Sequence, residues 1–207
     1  NLSPLFTDSQ GRTWLTDEQN IIRINPITHQ QSKLFFKELA GKFGLRASGI
    51  EVGKGEYLFA GRFGLFEYDE NKKKLSGIKD VNEQKPLNIS PIFYEKQSKQ
   101  VFFSSNWWTQ ATVLANKNGE WKIQKTLNLQ KDIYAYVHAN EPNKIWLCSN
   151  KGLLKLDTKT FDYQTLTEKE GLPDDAVTDI LEEPNGNFWL TTNKGISYFD
   201  KTSKHFS

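Results

Sequence analysis

A short pattern recurs along this 207-residue chain at a nearly constant interval. Phe188-Trp189-Leu190-Thr191-Thr192 has a counterpart in Ile145-Trp146-Leu147-Cys148-Ser149. Thr13-Trp14-Leu15-Thr16 is a third copy, Tyr57-Leu58-Phe59-Ala60-Gly61 a fourth and Val101-Phe102-Phe103-Ser104-Ser105 a fifth. The anchors Trp14, Leu58, Phe102, Trp146 and Trp189 follow one another at steps of 44, 44, 44 and 43 residues. A repeat of this length means one small structural unit made five times, so each unit must find its core against its neighbours.

Other positions keep the same beat. Three residues before the anchors stand Gly11, Gly55, Lys99, Asn143 and Gly186, in turn-like stretches suited to positive φ. Six residues after them stand Asn20, Gly64, Gly152 and Gly195, a second turn position where asparagine is the next-best left-handed residue. Eleven residues after them stand Asn25, Asp69, Asp157 and Asp200, whose side-chain oxygens suit the capping of a turn.

Between these turns lie apolar-rich runs of four to six residues, which read as short antiparallel strands and leave no room for long helices. In the last unit they are 177–182, 187–192, 196–199 and a start around Phe206. Four strands per unit at this period predict an all-β chain, a β-propeller segment of about five four-stranded antiparallel blades. The repeats run approximately over 1–43, 44–87, 88–131, 132–174 and 175–207. A β-solenoid or stacked sandwiches are the competing architectures, but solenoid rungs are usually shorter. No unit is divided between the two ends, as a closed ring often requires. The expectation is therefore part of a larger propeller, with a five-bladed ring as the alternative.

Composition narrows the class. Aromatic residues make up 13%, which suits an aromatic-rich β protein. The net charge of +2 argues against a strongly basic nucleic-acid binder and against an acidic disordered tail. The single cysteine, Cys148, excludes an internal disulfide and a zinc ribbon. No run of 18 apolar residues is present, and no charged start leads into an apolar stretch, so neither a spanning helix nor a signal peptide is read. With no methionine at all, the chain reads as a slice of a longer one.

The last units carry a recognisable motif. Gly171-Leu172-Pro173-Asp174-Asp175-Ala176-Val177-Thr178-Asp179-Ile180 is followed by Asn185-Gly186-Asn187-Phe188-Trp189-Leu190 and Asn193-Lys194-Gly195-Ile196. This closely resembles the two-component regulator propeller repeat. Trp146 to Asp157 and Gly11 to Thr16 resemble it too, and unit three does so weakly. The resemblance implies the periplasmic sensor region of a hybrid two-component histidine kinase of the Bacteroides type. Such sensors usually detect glycan-derived oligosaccharides, act as homodimers through the full-length protein and signal to a kinase, for which this segment holds no part. Neither the Gly-His…Trp-Asp pair of WD repeats nor the Gly-Gly doublet of kelch repeats is present.

In a propeller the loops from strand two to strand three share a face with the loops entering the next blade, and that face is the usual place for ligand. The unit-three loop departs from the others. With its strand-three end placed at Asn116, it is three residues longer and carries Asn106, Trp107 and Trp108. Adjacent tryptophans in a strand point to opposite faces, so one stays poorly buried unless something covers it. An exposed indole suits the apolar face of a sugar, with its N–H free to donate. Arg62 and Arg46 suit a carboxylate or sulfate on an acidic glycan. The expected ligand-binding residues are thus Trp107, Trp108, Arg62, Arg46 and Asn106. The anchors themselves are expected to pack between blades, Lys151 and Lys194 to be unremarkable loop residues, and Lys72-Lys73-Lys74 to be a solvated turn.

No catalytic constellation is read. The three histidines do not converge, no metal-ligand spacing occurs, and no His-Glu-x-x-His, Gly-x-Ser-x-Gly or P-loop is present. His138 falls eight residues before Trp146, where unit five has Leu181, and so is expected in the core. Asp174 and Asp175 could start a carboxylate pair for glycoside chemistry, with no partner in sight. The expectation is a non-enzymatic segment without cofactor or metal, taking an oligosaccharide ligand and contacting neither nucleic acid nor membrane. The rival reading is a propeller scaffold for protein–protein contact or sensor dimerisation, which exposed tryptophans would serve equally.

Overall fold

The computed structural model describes residues 2–17, 20–35, 47–61, 64–82, 89–105 and 109–207. Among these residues, twenty strands form five separate four-stranded sheets, each a simple antiparallel meander in chain order. The first holds β1 (Ser3–Thr7), β2 (Thr13–Thr16), β3 (Asn20–Ile24) and β4 (Gln31–Phe35). The second holds β5 (Ser48–Gly53), β6 (Glu56–Gly61), β7 (Gly64–Asp69) and β8 (Lys74–Gly77), followed by a one-turn helix α1 (Lys79–Asn82). The third holds β9 (Ile92–Glu95), β10 (Gln100–Ser105), β11 (Gln110–Lys117) and β12 (Glu120–Asn128). The fourth holds β13 (Ile133–His138), β14 (Lys144–Ser149), β15 (Gly152–Asp157) and β16 (Tyr163–Leu166). The fifth holds β17 (Val177–Glu182), β18 (Phe188–Thr192), β19 (Gly195–Asp200) and β20 (His205–Phe206).

First strands touch first strands, β1 with β5, β5 with β9, β9 with β13 and β13 with β17. The sheets therefore stand face to face around a common axis, each with its first strand innermost. This is the propeller arrangement. A four-stranded sheet this small cannot bury an apolar face by itself, and the cores accordingly lie between sheets. One cluster joins Trp14 and Ile21 to Tyr57, Phe59 and Tyr68, and another joins Leu58 and Leu65 to Val101 and Phe103. Phe102 and Val113 meet Ile145 and Leu147, and Trp146 and Leu153 meet Phe188 and Leu190. The anchors Trp14, Leu58, Phe102 and Trp146 are all in these cores. Trp189 is the exception: among the described residues no sheet covers its face, and it is exposed.

The turn positions behave as their chemistry requires. Gly11, Gly55, Lys99, Asn143 and Gly186 all have positive φ, as do Gly64, Gly152 and Gly195. Asn20 does not; its backbone and side-chain N–H groups donate to Asp17 instead. Asn25, Asp69, Asp157 and Asp200 each accept main-chain N–H groups two or three residues on.

Two expectations need correction. In units one, two, four and five the anchor pairs with a residue nine further on, as Trp146 does with Lys155, whereas Phe102 pairs with Val113. The unit-three hairpin is thus two residues longer, not three. The remaining residue is absorbed because β11 runs on to Lys117 and closes through Asn118-Gly119, both with positive φ. His138 is not a core residue: its side chain is 50% exposed. Its strand has slipped by one, so Val137 pairs with Trp146 as Leu181 pairs with Trp189, and His138 takes the place of Glu182 on the other face.

Candidate functional site

The strand-two-to-strand-three loops and the loops entering the next sheet meet at one end of the blades. The five residues expected to bind ligand, Asn106, Trp107, Trp108, Arg62 and Arg46, lie outside the described residues. The frame around the first three is described. The main-chain N–H of Leu129 donates to the carbonyl of Thr109 at 3.1 Å, so the long unit-three loop is tied to the segment entering sheet four. Gln130 follows at φ 53, and Lys131 and Asp132 complete that segment.

Asp132 and Asn150 lock the entry segment to the β14–β15 turn. The amide of Asn150 donates to the Asp132 carboxylate at 3.0 Å and its side-chain oxygen accepts the Asp132 N–H at 2.9 Å. Beside this lock two lysines cross. Lys131 Nζ donates to the carbonyl of Lys151 at 3.1 Å, and Lys151 Nζ reaches the carbonyl of Gln130 at 3.5 Å. Among the described residues neither ammonium has a carboxylate ion-pair partner. Burial first, and Lys151 second, hold the Lys131 ammonium below the usual lysine range against the pull of Asp175. An ammonium has three N–H groups, so each lysine keeps donors for an anionic group on this face.

The neighbouring turn is different. Lys194 Nζ donates to Glu168 Oε1 and to the carbonyl of Pro173, both at 2.8 Å, and lies 3.7 Å from Asp174. It is spent on pinning the loop that enters sheet five. Asp174 and Asp175 are spent likewise: Asp174 accepts the Ala176 N–H at 2.7 Å and Asp175 accepts the Glu168 N–H at 2.7 Å. The most recognisable stretch of sequence, Gly171 to Asp175, therefore builds a turn in which both carboxylates accept main-chain N–H groups. Lys131 was not visible to sequence reasoning, because the entry segments do not repeat and only pairing shows that it faces Lys151.

Among the described residues no group of three His, Cys, Asp or Glu side chains could hold a metal ion. Among them too, no helix is long and apolar enough to cross a membrane. Cys148 is fully buried and burial pushes its thiol up. His138 stands over Phe93, with ring centroids 4.6 Å apart, 3.9 Å from Glu95. His29 and His205 are exposed.

Comparison with known proteins places the fold. Residues 171–194 match the family described as two component regulator propeller. The extracellular domain assigned to a hybrid two component system of B. thetaiotaomicron superposes with a TM-score of 0.69 at 16% identity, over 98% of this chain and 29% of that one. PorZ, described as a surface component of the type-IX secretion system of Porphyromonas gingivalis, superposes with a TM-score of 0.76 at 13% identity, over 96% of this chain and 32% of that one. An ancestral GH74 enzyme superposes with a TM-score of 0.68 at 13% identity, over 100% of this chain and 30% of that one. Among curated proteins none matches. The chain spans about a third or less of these solved structures, and at such identities the likeness is one of fold. A sensor domain, a secretion component and an enzyme share this architecture, so the site, not the fold, must decide function.

Proposed function

We propose that this chain is part of the extracytoplasmic sensor propeller of a hybrid two-component signalling protein, and that its loop face takes up an oligosaccharide. The observation that carries the reading is the match of residues 171–194 to the two component regulator propeller family, set in an array of five four-stranded sheets. The likeness to extracellular domains assigned to hybrid two component systems supports it. Ligand contact falls to Asn106, Trp107 and Trp108 of the unit-three loop, with Arg62 and Arg46 as the further candidates read from the sequence. Lys131 and Lys151 beside that loop favour a carboxylate- or sulfate-bearing sugar. Binding then biases the arrangement of the whole sensor, and with it the kinase, by its differential affinity for two states. The segment itself performs no chemistry, and the periplasm is the compartment this role requires.

The test is calorimetric titration of the complete sensor ectodomain with neutral and acidic oligosaccharides, beside a Trp107→Ala/Trp108→Ala variant. Specific binding that disappears in a folded variant supports recognition here. Binding that persists unchanged makes this segment scaffold. An ectodomain that binds no sugar but self-associates supports the interaction-platform reading instead.

A further inference from the structure

The first strand of sheet four carries one side chain that the cores do not claim. β13 pairs Ile133 with Ser149 and Ala135 with Cys148, so Tyr134 between them is the extra residue of a β-bulge. A bulge turns a side chain out of the alternation that the rest of the strand obeys. Ile133 is fully buried and Ala135 packs against the core between sheets four and five, whereas Tyr134 is 39% exposed. Two residues on, Tyr136 is buried with its hydroxyl 2.6 Å from that of Ser104. Among the described residues the Tyr134 hydroxyl has no such partner.

Its place in the fold is specific. First strands are innermost and Tyr134 is the second residue of β13, so it stands at the axial edge of the loop face. Lys131 precedes it by three residues, a span of at most about 11 Å. Lys151 follows Ser149, the cross-strand partner of Ile133, by two residues. One end of one hairpin thus gathers a phenol and the two ammoniums that lack a carboxylate. Blades one and five carry the same bulge, at Leu5 and Thr178, and use it otherwise. Leu5 packs against the core between sheets one and two. Thr178 turns its hydroxyl onto Thr191, 3.1 Å from the carbonyl, and Lys194 at that blade's turn is pinned by Glu168. In sheets two and three the inner strand pairs without a break at this end.

We infer that Tyr134 is a ligand contact: a sugar ring packs on its phenol while the carboxylate or sulfate of that ring, or of the next, reaches Lys131 and Lys151. A phenol offers an apolar face and a polar rim, which is what a pyranose ring presents in return. The two ammoniums supply the remaining donors from two different loops, so one anionic group bridges them. The inference rests on the oligosaccharide reading and adds to it a residue and a place. Charged sugars are recognised at the axial end of blade four, by a phenol that the indoles of the unit-three loop do not replace.

Calorimetric titration of the complete sensor ectodomain tests this, with oligogalacturonate and chondroitin sulfate oligosaccharides as the acidic probes. Tyr134→Ala is compared with Tyr134→Phe, which keeps the ring, and with Tyr163→Ala, which removes an equally exposed tyrosine from the outer strand β16. Tyr134→Ala is expected to weaken the acidic probe that binds about three- to tenfold, the range for one aromatic contact. Tyr134→Phe retains most of the affinity and Tyr163→Ala all of it. In a Lys131→Gln/Lys151→Gln background, Tyr134→Ala costs less than about twofold, because residues that hold one group are not additive. An unchanged Kd for Tyr134→Ala overturns the inference and leaves the oligosaccharide reading standing. An equal loss in both backgrounds overturns it by separating the phenol from the lysines, and a Tyr134→Phe loss as large as that of alanine overturns the ring contact. A wild-type ectodomain that binds neither probe overturns the recognition of charged sugars altogether.

Discussion

The indole nitrogen of Trp146 donates to Oε2 of Glu182 at 2.9 Å, across the gap between sheets four and five. The same carboxylate accepts the main-chain N–H of Asn140 at 2.9 Å, so one side chain of blade five ties two parts of blade four. Phe188 packs against the indole at a tilt of 52°, with ring centroids 5.6 Å apart. The contact is thus an apolar seat with one directional bond at its rim. Trp146→Ala opens a cavity in that seat and costs about 3–5 kcal/mol. Glu182→Ala leaves the largely buried indole N–H without a partner and costs about 1–3 kcal/mol. Urea unfolding of the two variants checks both values, and the first must exceed the second.

Gly152 and Gly195 occupy the same turn position, with φ of 106° and 116°. An alanine at either place meets the same backbone strain, about 1–3 kcal/mol. Their surroundings differ. A Cβ on Gly152 would run into the carbonyl oxygen of Leu166 and the side chain of Thr165, whereas a Cβ on Gly195 meets nothing within 4 Å. Gly152→Ala is therefore expected to destabilise by a further ~1–3 kcal/mol over Gly195→Ala, the usual range for overpacking. Comparing the two denaturation midpoints isolates crowding from strain.

Asp8 is buried where blades one and two meet. Burial alone would raise its carboxyl; the Trp14 indole, the Arg12 main-chain N–H and the Arg12 guanidinium outweigh that and hold it below the ordinary carboxylate range. Glu70, opposed by burial in the same way, is lowered by Arg12 and then Arg23. The folded state thus binds these protons less readily than the unfolded one. Their stabilisation is complete above about pH 4–5, the unfolded carboxylate range, and is lost as the pH falls through the lower folded values. Unfolding free energy measured from pH 7 down to pH 2.5 should decline through this window. Asp8→Asn should flatten part of that decline, and a variant with an unchanged slope would contradict the assignment.

Fold and site were not equally legible. The fold could be read because each blade must bury an apolar face against the next, which forces Trp14, Leu58, Phe102 and Trp146 onto one beat. His138 misled because spacing from the anchor ignores a one-residue change in the β13–β14 turn, and such a slip reverses the face of a strand. Counting from the turn would have placed it beside Glu182's position. Trp189 keeps the beat and is still exposed, since among the described residues no sheet packs over it. The crossing of Lys131 and Lys151 was hidden because loops entering a blade carry no repeat; only pairing of Asp132 with Asn150 brings the two ammoniums together.

The two lysines also give a prediction that separates binding from bracing. Each ammonium holds a main-chain carbonyl of the other's loop, so either could matter only for the loop's shape. A bracing role would reduce binding of every sugar alike. A recognition role acts only on charge: Lys131→Gln/Lys151→Gln should weaken an acidic oligosaccharide and spare a neutral one that stacks on indoles. A lost charge-assisted hydrogen bond costs about 1.5–3 kcal/mol, which is roughly tenfold or more in Kd for each lysine. The same titration repeated at higher ionic strength should weaken the wild-type protein toward the variant, because exposed charges are screened. Equal loss for neutral and acidic sugars would assign the pair to the architecture of the loop face instead.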